Sequence, residues 1–252
     1  MRGINPADLI PMDLFLSAEP IQIDVAYAHS NNLFQQPIYH PEARLWLHKD
    51  LAAIVILAAR ILLWHGAQQN KEIWHIQLKD GLRTTDAQAA MQETAIVKAN
   101  PHWMEPGEKR LLSPPGLGAH PRAMAVDIIP ILADGTLVDM GTQFDEMTSQ
   151  SARNAMDISA QAQENRALFT KSMNDAAILL DLEIHPLSTE WWDYRFPVAY
   201  SNQYAPLSES DLPRKMQLVK QVETNHKDFP DTHFEVLKTE LLERINQHID
   251  YL

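Results

Sequence analysis

The run from Leu51 to Trp64 is apolar at every position except Arg60. A helix with no polar face has to be covered on all sides, so this chain must wrap other elements around that segment. By itself the run is too short to span a bilayer, which favours a buried core helix. Pro41 suits the first turn of such a helix and Gly66 its C-terminal cap, so the expected element runs from about Pro41 to His65. With 252 residues, 45% of them hydrophobic and 21% charged, the chain can bury a sizeable core as one large domain or two small ones.

Acidic residues outnumber basic ones by 33 to 21, for a formal net charge of −12. Nucleic acids and anionic membranes are bound by basic faces, so neither is an expected partner. There is no cysteine, which excludes disulfides, thiolate metal sites and a cysteine nucleophile. The segment Met-Arg-Gly-Ile-Asn-Pro-Ala-Asp at the start lacks the apolar core of a signal peptide. The expected location is cytoplasmic, or periplasmic if a signal was removed ahead of this numbering.

Pro6, Pro11, Pro20 and Pro37 break the first forty or so residues into short pieces. Residues 73–78 alternate as a strand does, ending at the Asp80-Gly81 turn, and 85–99 read as a helix. Residues 100–120 are loop. A strand over 123–132 precedes the hairpin signal Asp134-Gly135 and a returning strand over 136–138. A helix is expected over 159–182, then a strand pair from 183–185 and 191–196. Helices mixed with hairpin-linked strands indicate an α+β class, a single domain with a central, largely antiparallel sheet flanked by helices.

The last 45 residues change character. Over 208–223, Leu212, Met216, Val219 and Val222 share one helical face. Thr232-x-x-Glu235 has the form of a capping box and opens a helix carrying Phe234, Leu237, Leu241, Ile245 and Ile249. The expected division is a domain over 1–207 and a C-terminal helical hairpin over 208–252 packed on it. A homodimer contact is the alternative use of those apolar faces.

Two segments concentrate the chemistry. His120-Pro-Arg-Ala-Met-Ala-Val-Asp127 sets a histidine and an aspartate seven positions apart, and Glu190-Trp-Trp-Asp193 follows at long range. One imidazole and one or two carboxylates can hold a divalent ion, with Glu190 free to handle protons. A catalytic zinc commonly takes three protein ligands and keeps a fourth position for water. Asp127 shares a strand face with Ala125 and Ile129, where a carboxylate is costly to bury unless something cationic meets it. Taken alone, His120 and Asp127 also fit a surface histidine and a salt-bridged aspartate. Arg83 likewise fits an exposed residue after a turn, and Asp145 a turn aspartate. Trp191 and Trp192 suit core or cleft wall, and His65, His75, His102 and His185 suit structural roles.

Five segments in order, over roughly residues 20–197, resemble the VanX-type D-alanyl-D-alanine dipeptidases, zinc enzymes of the D-Ala-D-Ala peptidase family. His120, Ala125 and Asp127 meet the family pattern Ser-x-His-x-x-Gly-x-Ala-x-Asp, with Gly118 in place of the serine and Ala123 in place of the glycine. Tyr27-Ala-His-Ser-Asn-Asn32 is similar to Tyr-Ala-x-x-x-Asn, and Asp80-Gly-Leu-Arg83 to Asp-Gly-Tyr-Arg. The stretch from Leu137 to Asp145 follows the hairpin as in the family, and Glu190-Trp-Trp-Asp-Tyr194 is similar to Glu-Trp-Trp-His-Tyr.

The resemblance implies the family's fold (D-Ala-D-Ala metallopeptidase, hedgehog-like) and a role for each matching position. His120 and Asp127 would be zinc ligands, with Asp193 where a third, a histidine, is expected. Glu190 would be the general base. Arg83 would steady the developing oxyanion, and Tyr27 and Asp145 would hold the substrate's free amino terminus. The implied cofactor is one Zn²⁺ per chain, and the implied partner is a small D-amino-acid dipeptide. Zn²⁺ with one histidine and two aspartates sums to zero, against +1 for the usual set. A more oxygen-rich site also favours harder ions such as Mn²⁺. If Asp193 is not a ligand, His185 is the next candidate. A non-catalytic peptide- or muropeptide-binding relative and a D-Ala-releasing carboxypeptidase of the same fold are the alternative functions.

Overall fold

In the computed structural model, which describes residues 1–68, 74–107 and 110–248, the strands and helices follow in this order. They are β1 (Leu9–Pro11), β2 (Ile21–Ile23), β3 (Trp46–His48), α1 (Lys49–Gln68), β4 (Trp74–Asp80), α2 (Thr85–Gln92) and α3 (Ala95–Ala99), then β5 (Ala125–Leu132), α4 (Ala160–Leu179), β6 (Asp193–Arg195), α5 (Val198–Ser201) and α6 (Asp231–Asn246). β2, β4, β5 and β6 form a four-stranded sheet in that order, and β1 pairs separately with β3. Of these strand pairings β2–β4 is parallel and the others are antiparallel. A largely antiparallel sheet flanked by helices is the α+β arrangement expected from the sequence.

The apolar run lies in α1, whose residues from Leu51 to Ala59 are at most 1% exposed. β4 covers one side of it, and α4 and α6 pack on others. The helix differs from expectation at both ends. It begins at Lys49 because residues 46–48 are drawn into pairing with β1, and Gly66 lies inside it rather than at a cap. The full helix is long and apolar enough to cross a bilayer, so length does not decide its place; 67% of its most apolar window is buried inside the protein. Arg60, the one charge in the run, donates to Glu19 at 2.6 and 2.7 Å and to Asn246 Oδ1 at 2.8 Å. These partners are far away in sequence and satisfy a guanidinium that the run alone leaves unexplained.

β4 alternates buried and half-buried residues along its length, and the alternation ends with Asp80 on the buried face. That strand starts at Trp74; Ile73, like Ile249, lies outside the described residues. The helix expected over 85–99 is two helices, because Thr94 Oγ1 donates to Met91 O at 2.8 Å and competes with the helical ladder. Asp134-Gly135 does turn the chain, with Gly135 at φ +89°, but the return is only a bridge between Leu137 and Ile131. Residues 183–185 form no strand and reach β6 through His185 N donating to Arg195 O at 2.7 Å.

Residues 208–223 form no long helix. They make two single 3₁₀ turns, Glu209–Asp211 and Arg214–Met216, separated by Pro213. Buried side chains replace the helical bonds: Gln217 Nε2 donates to the carbonyls of Glu209, Leu212 and Val222, and Leu218 N donates to Glu209 Oε2 at 2.7 Å. α6 forms as expected, with Phe234, Leu237, Leu241 and Ile245 buried. Its capping box does not form, since the helix opens at Asp231 after Pro230 with no side-chain cap.

Candidate active site

Strand register assembles the site. Asp80 at the end of β4 stands opposite Asp127 in β5, and Asp127 stands opposite Asp193 at the start of β6. Three carboxylates, each at most 2% exposed, thus lie side by side across three strands. Like charges directly opposite on neighbouring strands repel, so the row requires cations. Arg83 supplies one: its Nε donates to Asp80 Oδ2 at 2.8 Å and its Nη2 to Asp127 Oδ2 at 3.1 Å. Arg195 supplies a second, with Nε on Asp193 Oδ1 at 2.6 Å and Nη2 on Asp193 Oδ2. His120 Nε2 lies 3.3 Å from Asp193 Oδ2 and 3.5 Å from Asp127 Oδ1.

The loops that deliver Arg83 and His120 are pinned to each other. Gly81 passes so close to β3 that a Cβ would sit 2.6 Å from Trp46 O, which leaves room for glycine only. Arg83 N then donates to His120 O at 3.1 Å. His120 opens the 3₁₀ turn His120–Arg122, which ends on Ala123 in the left-handed region at φ +54°. That conformation is cheap for glycine, the residue of the family pattern, and strained for alanine. Gly118, at φ +90°, occupies a backbone position that the family's serine would adopt only with strain.

Residues on both sides of the expected domain boundary are built into these loops. Leu207 N donates to Pro121 O at 2.7 Å and Thr85 N to Leu207 O at 2.9 Å. Glu209, fully buried, accepts from Thr84 Oγ1 at 2.6 Å, and Thr84 caps α2 immediately after Arg83.

All seven residues singled out in the sequence line one cavity of about 610 Å³. Glu190 reaches it from the loop before β6, within ligand-sharing distance of Asp127 and Asp193. Tyr27 Oη donates to Asp145 Oδ2 at 3.1 Å, and the Arg83 guanidinium lies over the Tyr27 ring at 5.2 Å. Asp145 sits at φ +61°, so its backbone is strained where it meets the cavity. His185 is not in this cluster; it is exposed and bonds Glu183 Oε1 at 2.8 Å, which removes it as a substitute ligand. Trp191 and Trp192 are buried edge-on against each other, with Trp191 Nε1 donating to Thr142 Oγ1 at 2.9 Å. They anchor the Glu190 segment in the core.

Charge compensation divides the carboxyls into two groups. Burial presses the Asp193 carboxyl upward, but Arg195 and His120 outweigh it and hold the group well below the usual carboxylate range. Burial raises Asp80 despite Arg83. Among the described residues, neither Glu190 nor Asp145 has an ion-pair partner. Burial, then the Asp193 and Asp127 charges, push Glu190 up to about 8. Burial, then Asp127, push Asp145 up to about 7. For His120, burial and Arg83 favour the neutral ring, but Asp127 and Asp193 outweigh them and raise it to about 10. Ion uptake at His120 therefore has to displace a proton.

The donor set fits a divalent cation. Asp127 Oδ1 is buried without a hydrogen-bond partner, beside the only histidine of the cluster. His120 Nδ1 lies 2.8 Å from Gly81 O, and donating there leaves Nε2, once its proton is displaced, to offer a lone pair toward Asp127 and Asp193. Asp127, Asp145, Glu190 and Asp193 share the cavity lining with His120, Arg83, Arg110 and Arg195, and Asp80 stands behind Arg83. The groups Asp80–His120–Asp127 and Asp127–Glu190–Asp193 each have ligand atoms close enough to share one ion, so the expected set His120, Asp127 and Asp193 is divided between two groups that meet at Asp127.

Sequence reading missed three members of this arrangement. Asp80 accepts from Tyr39 Oη at 2.9 Å and from Arg83, and the alternation of β4 would have placed it on the buried face. Arg195 lies two residues beyond Asp193 on the same short strand, so the same period would have put it on Asp193's face. Tyr39 carried no comparable local signal.

β4, β5 and β6 thus carry buried carboxylates at one cleft, and the 3₁₀ turn before β5 brings a buried histidine beside them. The family model described as D-ala-D-ala dipeptidase (peptidase M15) matches residues 8–210, and the chain belongs to that family. The D-alanyl-D-alanine dipeptidase of Escherichia coli (strain K12) is 26% identical over 191 residues, covering 75% of this chain and 86% of that protein.

Proposed function

We propose that this chain is a metal-dependent dipeptidase that hydrolyses D-Ala-D-Ala or a similar D-amino-acid dipeptide. The observation that carries the reading is the convergence of His120 Nε2, the Asp127 and Asp193 carboxylates and Glu190 on one cavity, with Asp127 Oδ1 left unpartnered. His120, Asp127 and Asp193 would hold the ion, which when bound polarises the scissile carbonyl and makes water a usable nucleophile near neutral pH. Zinc is the ion favoured by the family resemblance. The oxygen-rich donor set also suits Mn²⁺.

Glu190 sits beside the ligands without a cation of its own, so it can take a proton at neutral pH and return it to the leaving amine. Arg83, fixed by Asp80 and Asp127, presents a permanent positive charge to the developing oxyanion. Asp145 lacks a cation, and a substrate ammonium would supply one. Tyr27 holds the carboxylate in place for that contact. Arg195 offsets the negative charge that Asp193 brings where a histidine would be neutral, so the ligand set with Arg195 carries the same net charge as two histidines and one aspartate.

One observation favours a second reading, a peptide-binding relative without metal: both Asp193 oxygens already accept from Arg195. Metal titration of chelator-treated protein followed by hydrolysis assays separates the two. About one Zn²⁺ or Mn²⁺ per chain, cleavage of D-Ala-D-Ala and refusal of N-acetyl-D-Ala-D-Ala are expected. Protein that takes up no ion and cleaves neither compound is the binding relative. Equal turnover of both compounds assigns it as a carboxypeptidase.

A further inference from the structure

Glu190 and Asp193 lie on a segment, 187–193, that has almost no regular structure before β6 begins. Something outside it must fix its path, since a misplacement of about 1 Å at a catalytic group can cost roughly a hundredfold in rate. Arg153 meets that need. Its Nη2 donates to Glu190 O at 3.0 Å and to Asp193 O at 2.8 Å, and its Nε donates to Leu187 O at 3.1 Å. Its own backbone N donates to Ser188 O at 2.9 Å. Nη1 donates to Thr170 Oγ1 at 3.0 Å, tying the guanidinium to α4, and the guanidinium stacks over the Tyr194 ring at 4.4 Å. Two residues earlier, Ser151 O accepts from Trp191 N at 3.0 Å.

We propose that Arg153 is a positioning residue that sets the main-chain path of residues 187–193, and through it the placement of Glu190 and Asp193. Every hydrogen bond its guanidinium makes, apart from the one to Thr170, goes to a carbonyl of that segment. Among the described residues it has no carboxylate partner, so its donors are committed to the segment and not to a salt bridge. The planar fork spans three carbonyls at once, which a lysine ammonium cannot do in the same geometry. The inference rests on the proposed roles of Glu190 and Asp193 in the dipeptidase reading.

The test uses Arg153→Met, which keeps the stem and loses the donors, and Arg153→Ala, which leaves space for added guanidinium. Amide exchange of the full-length protein is measured at Leu187, Trp191 and Asp193, with α1 and β4 as internal reference. Arg153→Met is expected to speed exchange in the segment on the order of tenfold while α1 and β4 are unchanged, since a local opening is uncoupled from global unfolding. In the dipeptide assay kcat should fall on the order of tenfold or more with KM within about threefold, because placement and not uniform binding is lost. Millimolar guanidinium should restore part of kcat to Arg153→Ala. Unchanged exchange in the segment, or faster exchange spread evenly over the protein, overturns the proposal. If the wild-type protein cleaves no dipeptide, the dipeptidase reading falls, while the exchange comparison still decides whether Arg153 fixes the segment.

Discussion

The two walls of the cavity use the same side-chain chemistry to opposite ends. On the sheet wall, Asp80, Asp127 and Asp193 are buried in register and each lies against a cation from Arg83, His120 or Arg195. On the loop wall, Glu190 and Asp145 are only half-buried and have no cation among the described residues, and their carboxyls titrate near neutrality. A carboxylate held low by a fixed cation, as Asp193 is by Arg195, is suited to hold an ion, while one left without a partner is suited to exchange a proton or receive an ammonium. The difference lies in what each carboxyl faces, since all five are Asp or Glu.

The largest effect should come from breaking the loop wall at its proton carrier. Glu190→Gln is expected to lower kcat by about 10²–10⁴-fold, the range for a lost general acid–base group. Calorimetric metal affinity should stay within a few-fold. Equal loss of metal and turnover would place Glu190 among the ligands and erase the contrast between the walls.

Breaking the sheet wall should instead show in stability. Asp193→Ala leaves the mostly buried Arg195 without its partner, and removing one member of a buried pair typically costs about 3–5 kcal/mol. Denaturant unfolding checks this, and metal affinity should fall as well. Asp193→His restores the family's ligand type but strands Arg195 in the same way. It should therefore be less stable than the wild type, and Asp193→His/Arg195→Met should recover much of the difference.

Glu209→Ala tests the buttress beneath Arg83. It leaves the Leu218 amide without an acceptor and frees the Thr84 hydroxyl, at a cost of about 1–3 kcal/mol for unsatisfied buried groups. Chemical denaturation should show it, together with a lower kcat at unchanged metal content.

The pH dependence sharpens the comparison further. Asp145 has a folded pKa of about 7, above its unfolded value, so its contribution to stability is complete below the unfolded pKa and is lost as pH rises through about 7. Glu190 acts in the same direction up to about 8. The melting temperature of chelator-treated protein should therefore decline between pH 5 and 8 or so. Asp145→Asn should flatten that slope; an unchanged slope means that Asp145 has no raised pKa. The smallest effect is expected at Ala123→Gly, where relief of the left-handed strain is largely offset by a more flexible unfolded chain. The net change in unfolding free energy should stay within about 1 kcal/mol.

Local patterns in the chain determined a good deal. The apolar run required a buried helix, the alternation of residues 73–78 marked a strand, and the spacing of apolar residues from Phe234 to Ile249 marked α6. The motif residues Tyr27, Arg83, His120, Asp127, Asp145, Glu190 and Asp193 were all legible, and all meet in one cavity. Residues 208–223 were misread because an apolar spacing fits a helix equally well when the bonds are made by buried Gln217 and Glu209 instead of the backbone ladder. The identity of each charge's partner lay beyond the sequence. Asp80 with Tyr39, Asp127 with Arg83 and Arg153 with the Glu190 segment are pairs joined across 41, 44 and 37 positions. Sequence determines which groups can ionise. Whether each does so depends on burial and on the cation opposite it, and those exist only once strands distant in the chain lie in register.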